Sequence, residues 1–290
     1  MPSSRRGRPL LALCALLLAL TLQPVAAKER LIWLVRDLPP FTIFDGSEKG
    51  QGVIDQLLPL LIEQMPEYDH RIVRVNRARG LQMLQAGHFV CDPTLLWTAE
   101  RARYVQYSVP ALGALSSGLV VHKHNANRLK AFSNGSEVDL QGLLTQTPLK
   151  LGIVAERSYG TQIDDMISNL PDSALNRHYG NDATASLLQM QQLGRLQLVL
   201  GYWPEMRYLI QQHGGSPDDY RFYPIQGVKR FQFLHVGCAN TTLGRAAIAH
   251  IDQLLPTLRR ETLPLLYANW LDPELREDYL QQSRQFFTDP

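Results

Sequence analysis

Blocks of apolar residues alternate with polar turns along the chain, and their spacing predicts its elements. Residues 31–36 (LIWLVR) form a short apolar run that reads as a buried strand, ended by the turn-like Asp37-Leu38-Pro39-Pro40. Between residues 53 and 65, Val53, Ile54, Leu57, Leu58, Leu61 and Met65 recur at helical spacing. Pro59 lies inside that pattern and is expected to kink the helix or stop it early. Residues 70–76 and 88–91 read as strands around a helix over 77–85 that Gly87 ends, followed by a short helix over 98–103 and a strand over 118–122. Such a β-α-β-α-β series is the sequence form of a parallel, helix-covered sheet. The polar stretch 123–137 then marks a boundary. Beyond it, helices over 137–144, 159–169, 181–193 and 204–212 alternate with strands over 149–154, 196–200 and 220–225. An apolar return over 231–237, a helix over 243–258 and a tail helix starting at Asp272-Pro273 close the series. Two α/β units on 290 residues agree with domains of roughly 100–200 residues each.

One block belongs to neither unit. The apolar run 10–22 follows Arg5, Arg6 and Arg8 and precedes Val25-Ala26-Ala27, the three regions of a secretory signal peptide with a cut after Ala27. At about 1.5 Å per residue the run falls short of a hydrocarbon core of roughly 30 Å. No later stretch is long enough to span either. The mature protein is therefore expected to be soluble and exported, in the periplasm. Removing the signal changes the charge from +2 overall to −1, with 26 basic against 27 acidic side chains from Lys28 onward. A near-neutral chain argues against nucleic acid as a partner, and 45% apolar residues argue against a disordered one. Cys14 leaves with the signal, so Cys91 and Cys238 remain as an even pair in an oxidising compartment. A disulfide is expected, contributing roughly 3–5 kcal/mol over so long a loop. Two buried thiols are the alternative.

Four segments, in this order, carry a family resemblance. They are Pro39-Pro40-Phe41 with Asp45-Gly46 and Gly52; Thr98-Ala99-Glu100-Arg101 with residues 105–110 (VQYSVP); residues 151–154 (LGIV) with Ser158-Tyr159-Gly160; and Leu193-Gly194-Arg195-Leu196. They resemble the periplasmic solute-binding proteins of family 3, the polar-amino-acid type, whose fold is the two-lobed type II "flytrap". The resemblance implies an α/β fold with a mixed sheet in each lobe and two hinge crossings. Lobe 1 would be 28–117 plus 236–290, lobe 2 would be 118–235, and the crossings would lie near 118–122 and 231–237. It also places Cys91 at the end of a lobe 1 strand and Cys238 just past the second crossing, where the bridge would tie the return to the first sheet.

Open α/β sheets bind ligands beyond the carboxyl ends of their strands. The loops after the strands supply Asp37 and Phe41, then Thr94 and Trp97 within 92–97, then Arg157, Ser158 and Tyr159, then Tyr202. Arg101 is the sharpest candidate: a guanidinium fork grips a carboxylate through two parallel hydrogen bonds, and in the similar proteins this arginine holds the ligand's carboxylate. A surface ion pair with Glu100 is its plainer reading. Ser158 and Tyr159 would donate from a helix start, and Phe41, Trp97 and Tyr202 would form aromatic walls. The resemblance also implies a second-lobe acid for a ligand ammonium, but Gln197 stands at the family's aspartate position and residues 197–202 (QLVLGY) contain none. Arg71, Arg74, Arg77 and Arg79 read as a solvated basic face. His122 and His124 lack a third ligand nearby, so neither metal nor cofactor is expected.

These features predict a monomeric, non-enzymatic binding protein. It would close on a small polar solute bearing a carboxylate, amino-acid-like or an organic acid, and present it to an ABC permease or a membrane sensor. A dehydratase or lyase on the same scaffold is the rival, which would need a general acid or base in the cleft.

Overall fold

The computed structural model describes residues 27–287. The expected signal peptide, up to residue 26, lies outside the described residues. Two sheets dominate. In the first, β1 (Arg30–Val35) lies between β2 (Asp69–Arg74) and β3 (Val90–Leu96), parallel to both. β13 (Phe231–Ala239) runs antiparallel to β3 and carries β4 (Val105–Tyr107) and β5 (Leu112–Leu115) on its other side. Helices α1 (Val53–Gln64), α8 (Thr242–Glu261), α9 (Leu263–Ala268) and α10 (Pro273–Ser283) pack Leu57, Leu61, Ile251, Tyr267 and Tyr279 onto Leu31 and Trp33. On the opposite face, Leu84 of α2 (Arg77–Gln85) meets Leu34, Val90 and Leu95. With both faces covered, β1 and β3 need apolar residues on each side, and this is why they read as runs and not as alternations.

The second sheet has the order β10 (Leu175–His178), β9 (Leu151–Val154), β11 (Leu198–Gly201), β6 (Gly118–His122), β12 (Tyr220–Pro224). Period-two geometry splits its strands between two cores. Leu119, Val121, Leu198 and Leu200 meet α4 (Leu140–Gln146) and α5 (Thr161–Ser168), whereas Val120 and Val199 meet α6 (Ala183–Gln192) and α7 (Trp203–Gln212). Between β6 and α4 lie the short α3 (Lys123–Ala126), a 3-10 turn over Asn127–Phe132 and the small hairpin of β7 (Ser133–Asn134) and β8 (Glu137–Val138).

Two expectations are corrected. Helix α1 runs unbroken through Pro59, whose side chain is on the exposed face while Val53, Ile54, Leu57, Leu58 and Leu61 anchor the other. The missing N–H falls on the solvent side, where its loss costs least. β3 runs past Cys91 through Pro93 to Leu96, so the expected loop 92–97 is mostly strand. Its ladder with β13 slips between His235 and Gly237, and that irregularity spans Pro93, which has no N–H to offer. β10 is a polar edge strand that apolar runs do not reveal. β6 lies wholly in the second sheet and β13 wholly in the first, with Ser116-Ser117 and residues 225–230 between strands of different sheets. Ser116 ties the two crossings together, its N–H donating to the Arg230 carbonyl at 2.9 Å and its hydroxyl to that of Lys229 at 2.6 Å. Cys91 and Cys238 face each other in the β3–β13 register with Cα atoms 4.0 Å apart, and they form a disulfide.

Candidate functional site

The carboxyl ends of β1, β2 and β3 in one lobe face those of β9 and β11 in the other, and the residues that follow them line the cleft. Arg36, just past β1, is buried. It donates to the Asp92 carboxylate and, at 2.8 Å, to the Thr94 hydroxyl. Asp92 also accepts from the Thr94 N–H at 2.9 Å, so this corner of β3 is a closed network, except that the Nε–H of Arg36 is buried without a partner among the described residues.

Across the cleft Arg157 makes a two-pronged contact with Glu205 of α7, at 3.0 and 2.5 Å, with both side chains 3% exposed. The Thr184 hydroxyl donates to the same carboxylate at 2.9 Å. Burial works against the charge on Arg157, but Glu205 outweighs it and holds the guanidinium above its ordinary value. The guanidinium also lies over the ring faces of Tyr202 and Tyr159, 4.9 and 5.3 Å from their centres.

Arg101 reaches from one lobe to the other. It is buried, and it donates at 3.0 Å to the carbonyl of Glu156, which has a left-handed φ of 59°. That conformation is disfavoured for a residue with a side chain, by roughly 1–3 kcal/mol. No carboxylate pairs with Arg101 among the described residues, so the surface ion pair with Glu100 is not formed. Arg77, expected on a solvated face, opens α2 and lines the same cleft. Burial, and then the charges of Arg36, Arg157 and Arg101, press its pKa well down.

These four arginines share one inner cavity of about 20 Å³ with Thr94, Phe41, Ser158, Tyr202 and a few leucines, and no acid lines it. That is room for about one water molecule, as expected for lobes in contact. It adjoins a cavity of about 160 Å³ bordered by Arg77, Asp37, Asn181, Thr184 and Glu205, and then an outer one of about 460 Å³ between Asp37 and α6–α7. Asp37 stands at these outer walls, its carboxyl raised by burial and by Asp45 and Glu205 despite the Phe44 N–H that it accepts. Phe41 and Tyr202 meet edge to face across the cleft, 6.2 Å apart. Ser158 lines the inner cavity, but its hydroxyl donates to Asp164 at 2.5 Å. Gly160 has a φ of 98° that suits glycine, and a Cβ there would stand 2.9 Å from the Gln232 side-chain oxygen.

Two candidates fall outside. Trp97 is 48% exposed and borders none of these cavities. Tyr159 turns into the second lobe's core, where its hydroxyl accepts the Val154 N–H at 2.8 Å and burial raises its pKa to about 12. Arg36, Arg77, Thr184 and Glu205 were not singled out for the cleft from the sequence. Arg36 and Arg77 each follow a strand's carboxyl end, a signal open to reading. Glu205 lies three residues beyond Tyr202, one helical turn outside the stretch searched for an acid.

No protein-family model matches the chain, and no curated protein matches it. Solved structures do. A histidine kinase sensor domain described as similar to periplasmic binding proteins superposes with a TM-score of 0.64 at 15% identity, over 84% of this chain and 96% of that one. An amino acid ABC transporter substrate-binding protein from Streptococcus pneumoniae bound to L-arginine gives 0.62 at 15%, over 88% and 95%. An ancestral amino-acid-binding protein described as a precursor of cyclohexadienyl dehydratase gives 0.60 at 17%, over 84% and 95%. At these identities the likeness is one of fold: the chain has the two-lobed type II periplasmic-binding-protein fold.

Proposed function

We propose that the chain is an exported binding protein that closes its lobes on a small anionic solute, most simply a carboxylate, and presents it to a membrane partner. The observation that carries this reading is the inner cavity, walled by both lobes and bearing four guanidinium groups and no acid. A buried positive charge is costly unless paired, so the unpaired guanidinium groups of buried Arg101 and half-buried Arg77 in one closing cleft favour an anion between them. Arg101 is the anchor, because it already spans the cleft. In this reading the signal is cut after Ala27 and the monomeric protein works in the periplasm, which suits the disulfide. The partner is an ABC permease or a sensor, two roles named among proteins of this fold. The lobes are then the two sheets with their helices, hinged at residues 116–117 and 225–230. An enzyme is the weaker reading, since the titratable groups of the inner cavity are arginines and a tyrosine whose proton burial holds on.

The test is a thermal-shift titration of the purified protein with organic acids, amino acids and their amides. A site-binding ligand at about 100 times its Kd adds roughly 2.7 kcal/mol of stability. Carboxylates should stabilise the protein and Arg101→Gln should remove the effect. An unaltered shift in Arg101→Gln overturns the assignment, and recovery of a chemically changed ligand overturns the binding role.

A further inference from the structure

How many anionic groups the solute carries follows from which arginines are already neutralised. Arg36 and Arg157 have their carboxylates, Asp92 and Glu205. Arg101 has a neutral carbonyl, and Arg77 has no hydrogen bond or ion pair among the described residues. Arg77 borders both the inner cavity and the adjoining cavity of about 160 Å³, so it stands where a solute held by Arg101 would extend. A second donor faces the same problem: the Nε–H of Arg36, a side chain more than nine-tenths buried, has no acceptor among the described residues. The acids on the larger cavity do not fill this role. Glu205 is taken up by Arg157 and Thr184, Asp37 accepts from Phe44, and Glu156 is exposed and offers its backbone carbonyl to Arg101.

We infer that the cleft takes a small dicarboxylate, one carboxylate on Arg101 and the other on Arg77 with the free Nε–H of Arg36. This rests on the anionic-solute reading above and goes further by fixing the number of charges. Hydrogen bonds to charged groups are the strong ones, and a carboxamide in place of a carboxylate leaves a guanidinium buried without its counter-ion. The comparison that isolates the second charge is therefore a dicarboxylate against its monoamide, which has nearly the same shape.

The experiment is calorimetric titration with straight-chain dicarboxylates of four to six carbons and their monoamides, with aspartate against asparagine and glutamate against glutamine as parallel pairs. In the unaltered protein the best dicarboxylate should bind at least about tenfold tighter than its monoamide. In Arg77→Gln that ratio should collapse toward one with the monoamide's affinity little changed, and Arg77→Lys should keep part of it. Arg77 opens a half-buried helix turn, so an unaltered unfolding midpoint is the control that the variants fold. Equal binding of dicarboxylate and monoamide in the unaltered protein overturns the dianion while leaving the anionic-solute reading intact. An equal loss of both ligands in a folded Arg77→Gln removes Arg77 from the second site. If no carboxylate of either kind binds, both readings fall together.

Discussion

Arg157 and Glu205 are each 3% exposed, and burial of this depth decides what a substitution does. Their mutual attraction offsets the cost of taking two charges out of water, but little is left over as net stability. Removing one partner is different, because the other charge then stays buried and unpaired. Glu205→Gln should cost about 3–5 kcal/mol, read as a lower urea midpoint with unchanged slope. Replacing both, Arg157→Met with Glu205→Leu, should cost much less than Glu205→Gln alone. A double variant as unstable as the single one would show that shape, and not the unpaired charge, sets the loss. The pair also means that Glu205, an acid of the second lobe at the cleft, is already held by Arg157 and not open to a ligand ammonium. Sequence pattern reached Arg157 through its place after a strand, yet could not show its partner, which is 48 residues away and on another helix.

At the scale of elements, what was legible followed burial. The runs that became β1, β6, β9 and β11 are covered on both faces and were legible as apolar blocks, whereas β10 is a polar edge strand with no such signature. Pro59 misled, since whether a proline breaks an element depends on where its missing N–H falls, and tertiary neighbours decide that; β3 likewise continues through Pro93. The cysteines were legible because an expected signal peptide and an even count of the remaining cysteines favour a bond. Their bond joins directly opposed residues of β3 and β13, closing a loop with a sequence separation of 147. It ties the returning segment to the first sheet, next to the strand that carries Asp92 and Thr94. In the chain-entropy account a loop of that length gains about 5 kcal/mol. Reduction, or Cys91→Ala with Cys238→Ala, should lower the unfolding free energy by up to that amount, measured by denaturant titration with and without reductant. A midpoint insensitive to reductant would mean that β13 is held by its ladder alone.

For the whole molecule the closed arrangement is itself a structure with identifiable supports. Asp272 precedes Pro273 and reads from sequence as the N-cap of α10, but its carboxylate makes no capping hydrogen bond. It accepts instead from the Trp203 indole N–H at 2.8 Å and from Arg207, both on α7 of the other lobe. Arg207 also donates to the Trp270 carbonyl at 3.3 Å, and Tyr208 packs edge-on to the Trp270 ring. These contacts join the two lobes close to the segments that connect them, since Trp203 lines a cavity with Ser116, Ser117 and Arg230. With Arg207 and Asp272 about one-fifth exposed, at 21% and 24%, their pair contributes on the order of 1 kcal/mol to closure. Asp272→Ala should therefore shift the open-to-closed balance by about fivefold toward open, seen as a larger radius of gyration in solution scattering. If binding requires the closed form, the apparent affinity for the solute should fall by a similar factor while Arg101 and Arg77 remain in place. A capping role makes the opposite prediction: a lower unfolding midpoint from a frayed α10, with the same lobe separation as the unaltered protein. Scattering and unfolding measured on the same variant separate the two, because one contact acts between the lobes and the other within a helix.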